Sequence, residues 1–157
     1  MLTRSKIQLL QLSIILIALI AAWTIELTYK LLPCPICWIQ RVILITLILW
    51  IILEKQYGPK WLFTSLFYLN IAMGTLLNIH HQYLISNYDP NASCLPGLGY
   101  LINTFGIFKT LHLVFTDHSS SCGNVVFSLM GLNIPQLLMM IYVILTVLNI
   151  IKQRLSL

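Results

Sequence analysis

From Ile36 to Leu53 the chain reads ICWIQRVILITLILWIIL. Arg41 is the single charge in this stretch, and everything after it is apolar but for Thr46. A helix needs about 20 predominantly apolar residues to cross the ~30 Å hydrocarbon core of a bilayer. Three further stretches meet the same test: Ile7 to Leu27, Trp61 to His81 and Ile134 to Ile151. None alternates apolar and polar residues as a membrane barrel strand does, so the spans are helices. The composition agrees. The 157 residues are 59% hydrophobic and 8% charged, whereas soluble domains average about 25% charged. The expected fold is an all-α membrane protein: one domain over 1–157, a four-helix bundle with spans at about 7–27, 36–53, 61–81 and 134–151. The segment Met1 to Lys6 is short and basic like the start of a signal peptide. The apolar run after it is long enough to span and lacks a small-residue cleavage site, so a retained first helix is expected.

The net charge of +5 does not point to nucleic acid, because the basic residues form no stripe and flank the spans instead. Arg4, Lys6, Lys55, Lys60, Lys152 and Arg154 fall on one side of the membrane, against Lys30 and Lys109 on the other. The more basic side is expected to be cytoplasmic. Both termini then lie inside, and the loops at about 28–35 and 82–133 lie outside. Those two loops hold Cys34, Cys94 and Cys122, with Cys37 at the membrane border. All four cysteines thus sit on the face where disulfides persist.

The second outer loop is expected to begin with turns over Asn87 to Gly99, rich in Asn, Asp, Pro, Ser and Gly. Its apolar middle, about Phe105 to Phe115, is too short to span and reads as a short horizontal helix on the membrane surface. Asp117 to Asn124 reads as a polar loop around Cys122.

The chemistry concentrates in Pro33-Cys34-Pro35-Ile36-Cys37-Trp38-Ile39-Gln40-Arg41. Two cysteines three positions apart at a helix start can close a small disulfide ring. Pro35 suits the first turn, where its missing N–H has no intrahelical partner in any case. The unpaired N–H groups and the helix dipole there favour a thiolate at Cys37. Arg41 projects from the same face one turn deeper and lowers the thiol pKa further. Such a pair is also half of a zinc site, but that requires two more ligands. Cys94 and Cys122 stand singly in a loop, so no metal is expected. Covalent haem is excluded because Trp38, not His, follows the second cysteine. Arg41 alone is equally a snorkelling cation; beside Cys37 the functional reading is stronger. Cys94 and Cys122 form either a structural disulfide or an exchangeable one on an exposed loop, and the first pair favours exchange.

These residues resemble the disulfide bond formation protein B family, DsbB. The resemblance rests on Cys34-Pro35-Ile36-Cys37, on Gln40-Arg41, on Cys94 and Cys122, and on Gly131-Leu132-Asn133-Ile134-Pro135-Gln136 entering the last span. It covers essentially the whole chain. It implies a quinone-dependent thiol oxidase of the bacterial inner membrane whose partner is a periplasmic DsbA-like protein of thioredoxin fold. By that resemblance Cys94 is attacked by the reduced partner, Cys122 is its resting disulfide mate, and Cys34 exchanges with Cys94. Cys37 and Arg41 face the quinone, ubiquinone or menaquinone. His81 corresponds to a family histidine near the quinone, with His80 as the adjacent candidate. Two other readings compete: a relay like vitamin K epoxide reductase, and a non-enzymatic scaffold with structural disulfides. A scaffold has no need of Arg41 beside Cys37. Glu26, near the outer end of the first span, reads as an interfacial carboxylate ahead of a quinone-site or proton-relay residue. Trp23, Trp38 and Trp61 fall where aromatic belts lie.

Overall fold

The computed structural model describes residues 3–29, 34–58, 61–87, 98–116, 128–129 and 132–155. Four long helices carry the apolar stretches: α1 (Arg4–Tyr29), α2 (Pro35–Tyr57), α3 (Trp61–Ser86) and, last in the chain, α5 (Ile134–Arg154). A shorter helix, α4 (Leu98–Thr116), and a two-stranded antiparallel hairpin, β1 (Ser128–Leu129) with β2 (Leu132–Asn133), lie between α3 and α5. All four long helices are long and apolar enough to cross a membrane. The protein is therefore an all-α, four-span membrane protein.

The observed helices outrun the expected spans. The apolar run measures the lipid core, whereas backbone hydrogen bonding continues through polar residues into the interface. So α2 runs on over Glu54 to Tyr57 and stops at Gly58, whose φ of 82° is a conformation glycine adopts without steric cost. The third helix continues five residues past His81 to Ser86. The helix expected over about Phe105 to Phe115 follows Gly106 and runs to Thr116; an unforeseen helical stretch precedes it from Leu98, across a kink where Gly106 has a φ of 75°. Of the turns expected over Asn87 to Gly99, Leu98 and Gly99 are helical instead, and residues 88–97 lie outside the described residues, as does the polar loop expected over Asp117 to Asn124. The loop also closes with the unforeseen hairpin, pairing Ser128 with Asn133 and Leu129 with Leu132.

The long helices pack in a ring, α1 on α2, α2 on α3, α3 on α5 and α5 back on α1, the up-down arrangement that short connections favour. Each is apolar around its circumference, so one stripe meets its neighbours and the rest, such as Leu9, Ile17, Leu69, Leu76 and Val143, faces outward. The inner stripes recur at three- and four-residue spacing: Leu44, Leu47 and Ile51 on α2 meet Leu138, Tyr142 and Leu145 on α5, with Ile15, Leu19, Phe67 and Ile71. Gly74 of α3 faces Tyr142 of α5. A Cβ there would lie 2.6 Å from the phenol end of Tyr142, so any larger residue would push that buried ring aside.

The ends of the bundle differ. At one, Glu54 of α2 accepts from Arg4 Nη2 of α1 at 2.8 Å and from Lys152 Nζ of α5 at 2.6 Å. Glu54 and Lys152 are both buried. At the other, a second apolar cluster of Ile36, Leu77, Leu84 and Val114 surrounds Cys34. Val114 belongs to α4, so the short helix lies over the cysteine end.

Candidate redox site

The site is assembled at the start of α2. Cys34 is its N-cap, with extended backbone (φ −66°, ψ 153°), and Pro35 follows in the first turn. The Cys37 N–H donates to Cys34 Sγ at 3.3 Å, so the sulfur takes the place that a serine or aspartate oxygen usually fills. This turn brings the two sulfurs to 2.9 Å, where passage between dithiol and disulfide needs little movement. Cys34 is buried and Cys37 is half-buried. The first packs in the cluster that includes Val114 of α4, and the second is more open.

His81 comes from α3, and its Nε2 lies 3.9 Å from Cys34 Sγ. His80 points elsewhere, its ring 5.6 Å from that of Phe115. Of the two adjacent histidines, His81 is thus the one beside the cysteines. The donor atoms of Cys34, Cys37 and His81 all lie within 4.8 Å of one another.

Arg41 is buried one turn below Cys37, on the same helix. Its Nη1 meets Glu26 Oε2 of α1 at 2.6 Å, and its guanidinium carbon lies 5.5 Å from the centre of the Trp38 ring. The Glu26 contact is close but poorly aligned. Neither Arg41 Nη1 nor Glu26 Oε2 has a hydrogen-bond partner of good angle among the described residues. A buried guanidinium N–H without an aligned acceptor fits an added oxygen acceptor, such as a quinone carbonyl, and Trp38 offers an aromatic wall beside it.

A side-chain relay fixes this helix turn. Gln40 Nε2 donates to Asn78 Oδ1 at 3.1 Å, and Asn78 Nδ2 donates to the Pro135 carbonyl at 2.7 Å. Gln40, Asn78 and Pro135 are all buried. The relay ties α2 to α3 and α5 next to Arg41. The Asn133 N–H donates to Gln136 Oε1 at 2.9 Å, which closes the first turn of α5 and steadies Pro135.

The structure thus brings Cys34, Cys37, Arg41 and His81 to one end of the bundle. Cys94 and Cys122, the other two expected site residues, lie outside the described residues. Two pairings at the site escaped the sequence reading. Glu26 is the ion-pair partner of Arg41, and the signal for it was a lone acid in a span. Asn78 is the hub of the Gln40 relay, and nothing in its local sequence marks it.

Comparison with known proteins agrees with this geometry. The family model described as "Disulfide bond formation protein DsbB" matches residues 4–151. A protein of Methylobacillus flagellatus named "Disulfide bond formation protein B" is 30% identical over 120 residues, covering 73% of this chain and 72% of its own. One of the same name from Xanthomonas campestris pv. campestris is 30% identical over 117 residues, covering 71% and 67%. Another, from Xylella fastidiosa, is 28% identical over 125 residues, covering 76% and 72%. No solved structure gives a significant match. A multi-pass bundle that gathers a paired dithiol and a buried arginine, matched from Arg4 to Ile151, belongs to the DsbB family of disulfide bond formation proteins.

Proposed function

We propose that this protein reoxidises a periplasmic DsbA-like thioredoxin-fold protein and passes the electrons to a membrane quinone, ubiquinone or menaquinone. The observation that carries this reading is the Cys34–Cys37 pair one helical turn above buried Arg41.

A DsbA-type oxidant has a potential near −120 mV, so its reoxidation demands a stronger electron sink than an ordinary structural disulfide. A bound quinone supplies that sink by taking two electrons and two protons. Cys94 receives the attack of the partner's thiolate, which breaks its disulfide with Cys122. The partner's second thiolate breaks the resulting mixed disulfide and the partner leaves oxidised, freeing Cys94 as a thiolate. Cys94 then attacks Cys34 and displaces Cys37, and the Cys122 thiolate attacks Cys94 and displaces Cys34, so the loop disulfide is restored at the expense of the Cys34–Cys37 bond. Cys37 is left as the thiolate, stabilised by the N-terminus of α2 and by Arg41. Arg41 and Trp38 hold the quinone ring, Arg41 through the N–H that lacks an aligned acceptor. Glu26 keeps Arg41 in place. His81, beside Cys34, orients the pair from α3.

We read the location as the bacterial inner membrane, and the excess of Arg4, Lys6, Lys55, Lys152 and Arg154 at the opposite end supports the orientation. Both termini are then cytoplasmic and the cysteine end periplasmic. The phenyl and aliphatic side chains that α4 turns outward, Phe108 and Ile107 among them, suit a helix lying against the lipid interface.

The test is quinone reduction by purified protein supplied with the reduced thioredoxin-fold partner. Stoichiometric loss of quinone absorbance is expected with the wild type. Retained turnover in Cys37→Ser would overturn the mechanism.

A further inference from the structure

We propose that the reduced Cys34–Cys37 pair and His81 form a binding site for a thiophilic divalent cation of the zinc type. Occupation of this site locks the pair as a dithiolate and halts electron transfer. The halting of transfer rests on the proposed thiol-oxidase function; the binding site does not.

The donors come from two helices that pack together, and Leu77 and Leu84 of α3 flank His81 within the cluster that holds Cys34. Zinc bonds of about 2.3 Å to sulfur and 2.0–2.1 Å to nitrogen put tetrahedral ligands roughly 3.5–3.8 Å apart. Cys34 Sγ and His81 Nε2 stand at 3.9 Å already. The sulfurs, at 2.9 Å, need only open by roughly 1 Å to meet that geometry. Three protein ligands leave a fourth position for water or an outside ligand, the pattern of open zinc sites. Two thiolates and a neutral imidazole cancel the ion's charge, so the complex entering this apolar cluster is neutral and avoids the cost of a buried net charge. Sulfur and imidazole donors select zinc-like ions over magnesium or calcium.

Binding replaces two thiol protons, which leave to solvent, and no electrons move. A disulfide has no thiolate to give, so the site exists only in the reduced state. Metal and oxidation therefore exclude one another, and the ion stabilises the dithiol by mass action.

Cobalt(II) serves as the probe, because thiolate ligation gives it intense charge-transfer absorption, with zinc as competitor. The full chain carries Cys94→Ser and Cys122→Ser so that loop thiols take no part. One ion per reduced chain is expected, with none after the pair is oxidised. Magnesium should not compete. His81→Ala should weaken binding by about tenfold or more, and His81→Cys should restore it. Lack of a thiolate–cobalt band in the reduced chain would overturn the site. So would equal binding by the oxidised chain, which needs no further substitution, or unchanged affinity in His81→Ala. Zinc-free and zinc-treated quinone reduction by the wild-type chain are measured in parallel. No turnover without zinc would refute the proposed function and leave the metal site standing. Turnover untouched by bound zinc would refute the inhibition alone.

Discussion

The two ends of the bundle bury charge in opposite ways. At the Glu54 end each carboxylate oxygen has its own cation: Arg4 at 2.8 Å and Lys152 at 2.6 Å, both as hydrogen bonds. At the cysteine end Arg41 and Glu26 touch at 2.6 Å, yet the atoms in contact lack an aligned partner. A satisfied buried network rigidifies a fold, and a partly satisfied one is costly unless something completes it. The first end therefore reads as a structural clamp across α1, α2 and α5. The second is a close ion pair without good hydrogen-bond alignment, which under the proposed function a quinone oxygen would complete.

That contrast can be broken or sharpened experimentally. The largest effect is expected from Cys37→Ser, which should lower quinone-coupled turnover by about a thousandfold or more, roughly 4 kcal/mol in activation terms. Stopped-flow quinone absorbance reads it, and the thermal midpoint should barely move. Glu54→Leu should do the reverse. Two buried or half-buried cations lose their counter-charge, at a cost of about 3–5 kcal/mol, read as a fall in the unfolding midpoint in detergent. Turnover per folded molecule should hold; a selective loss of activity would mean that the clamp belongs to the chemistry. Arg41→Ala should raise the apparent quinone KM by roughly 10- to 100-fold, the worth of about 1.5–3 kcal/mol for a charged hydrogen bond. The partner's KM should stay put, and a change confined to the partner would strip Arg41 of its quinone role.

Asn78→Ala sharpens the comparison from within the cysteine end. It leaves the Gln40 amide and the Pro135 carbonyl without their partner and should cost about 1–3 kcal/mol of stability. The smallest effect is expected from Glu26→Gln, which keeps the shape but removes the charge. A rise in quinone KM of about fivefold, near 1 kcal/mol, is expected, with Cys37 alkylation by iodoacetamide reporting any change in thiolate reactivity.

The four spans were legible because a span is a local count of apolar residues, and its length is set by the bilayer rather than by tertiary contacts. The shared face of Cys37 and Arg41 was legible for the same reason, since a four-residue spacing is a property of one helix. What the sequence could not show are the pairings between helices. His81 meets Cys34 across 47 positions, and Asn78 meets Pro135 across 57. Whether His80 or His81 faces the cysteines turns on the rotation of α3 by about 100°, one residue's step around a helix. That rotation is set by Gly74 against Tyr142 and by Leu77 and Leu84 in the second core. The helix ends were blurred because Glu54 to Tyr57 are polar yet helical. The kink at Gly106 depends on a positive φ that a lone glycine permits without announcing.

Cys34 Sγ also holds the N–H of Cys37, which makes one atom both a redox partner and the stopper of a helix. When that sulfur leaves to bond elsewhere, α2 is uncapped at its first turn, at an expense of about 1 kcal/mol. When it returns, the turn is sealed again. In the proposed cycle, each turnover thus tugs mechanically on the end of a membrane helix. The loosened turn carries Cys37, so the sulfur that must act next gains room to move at the moment it is needed.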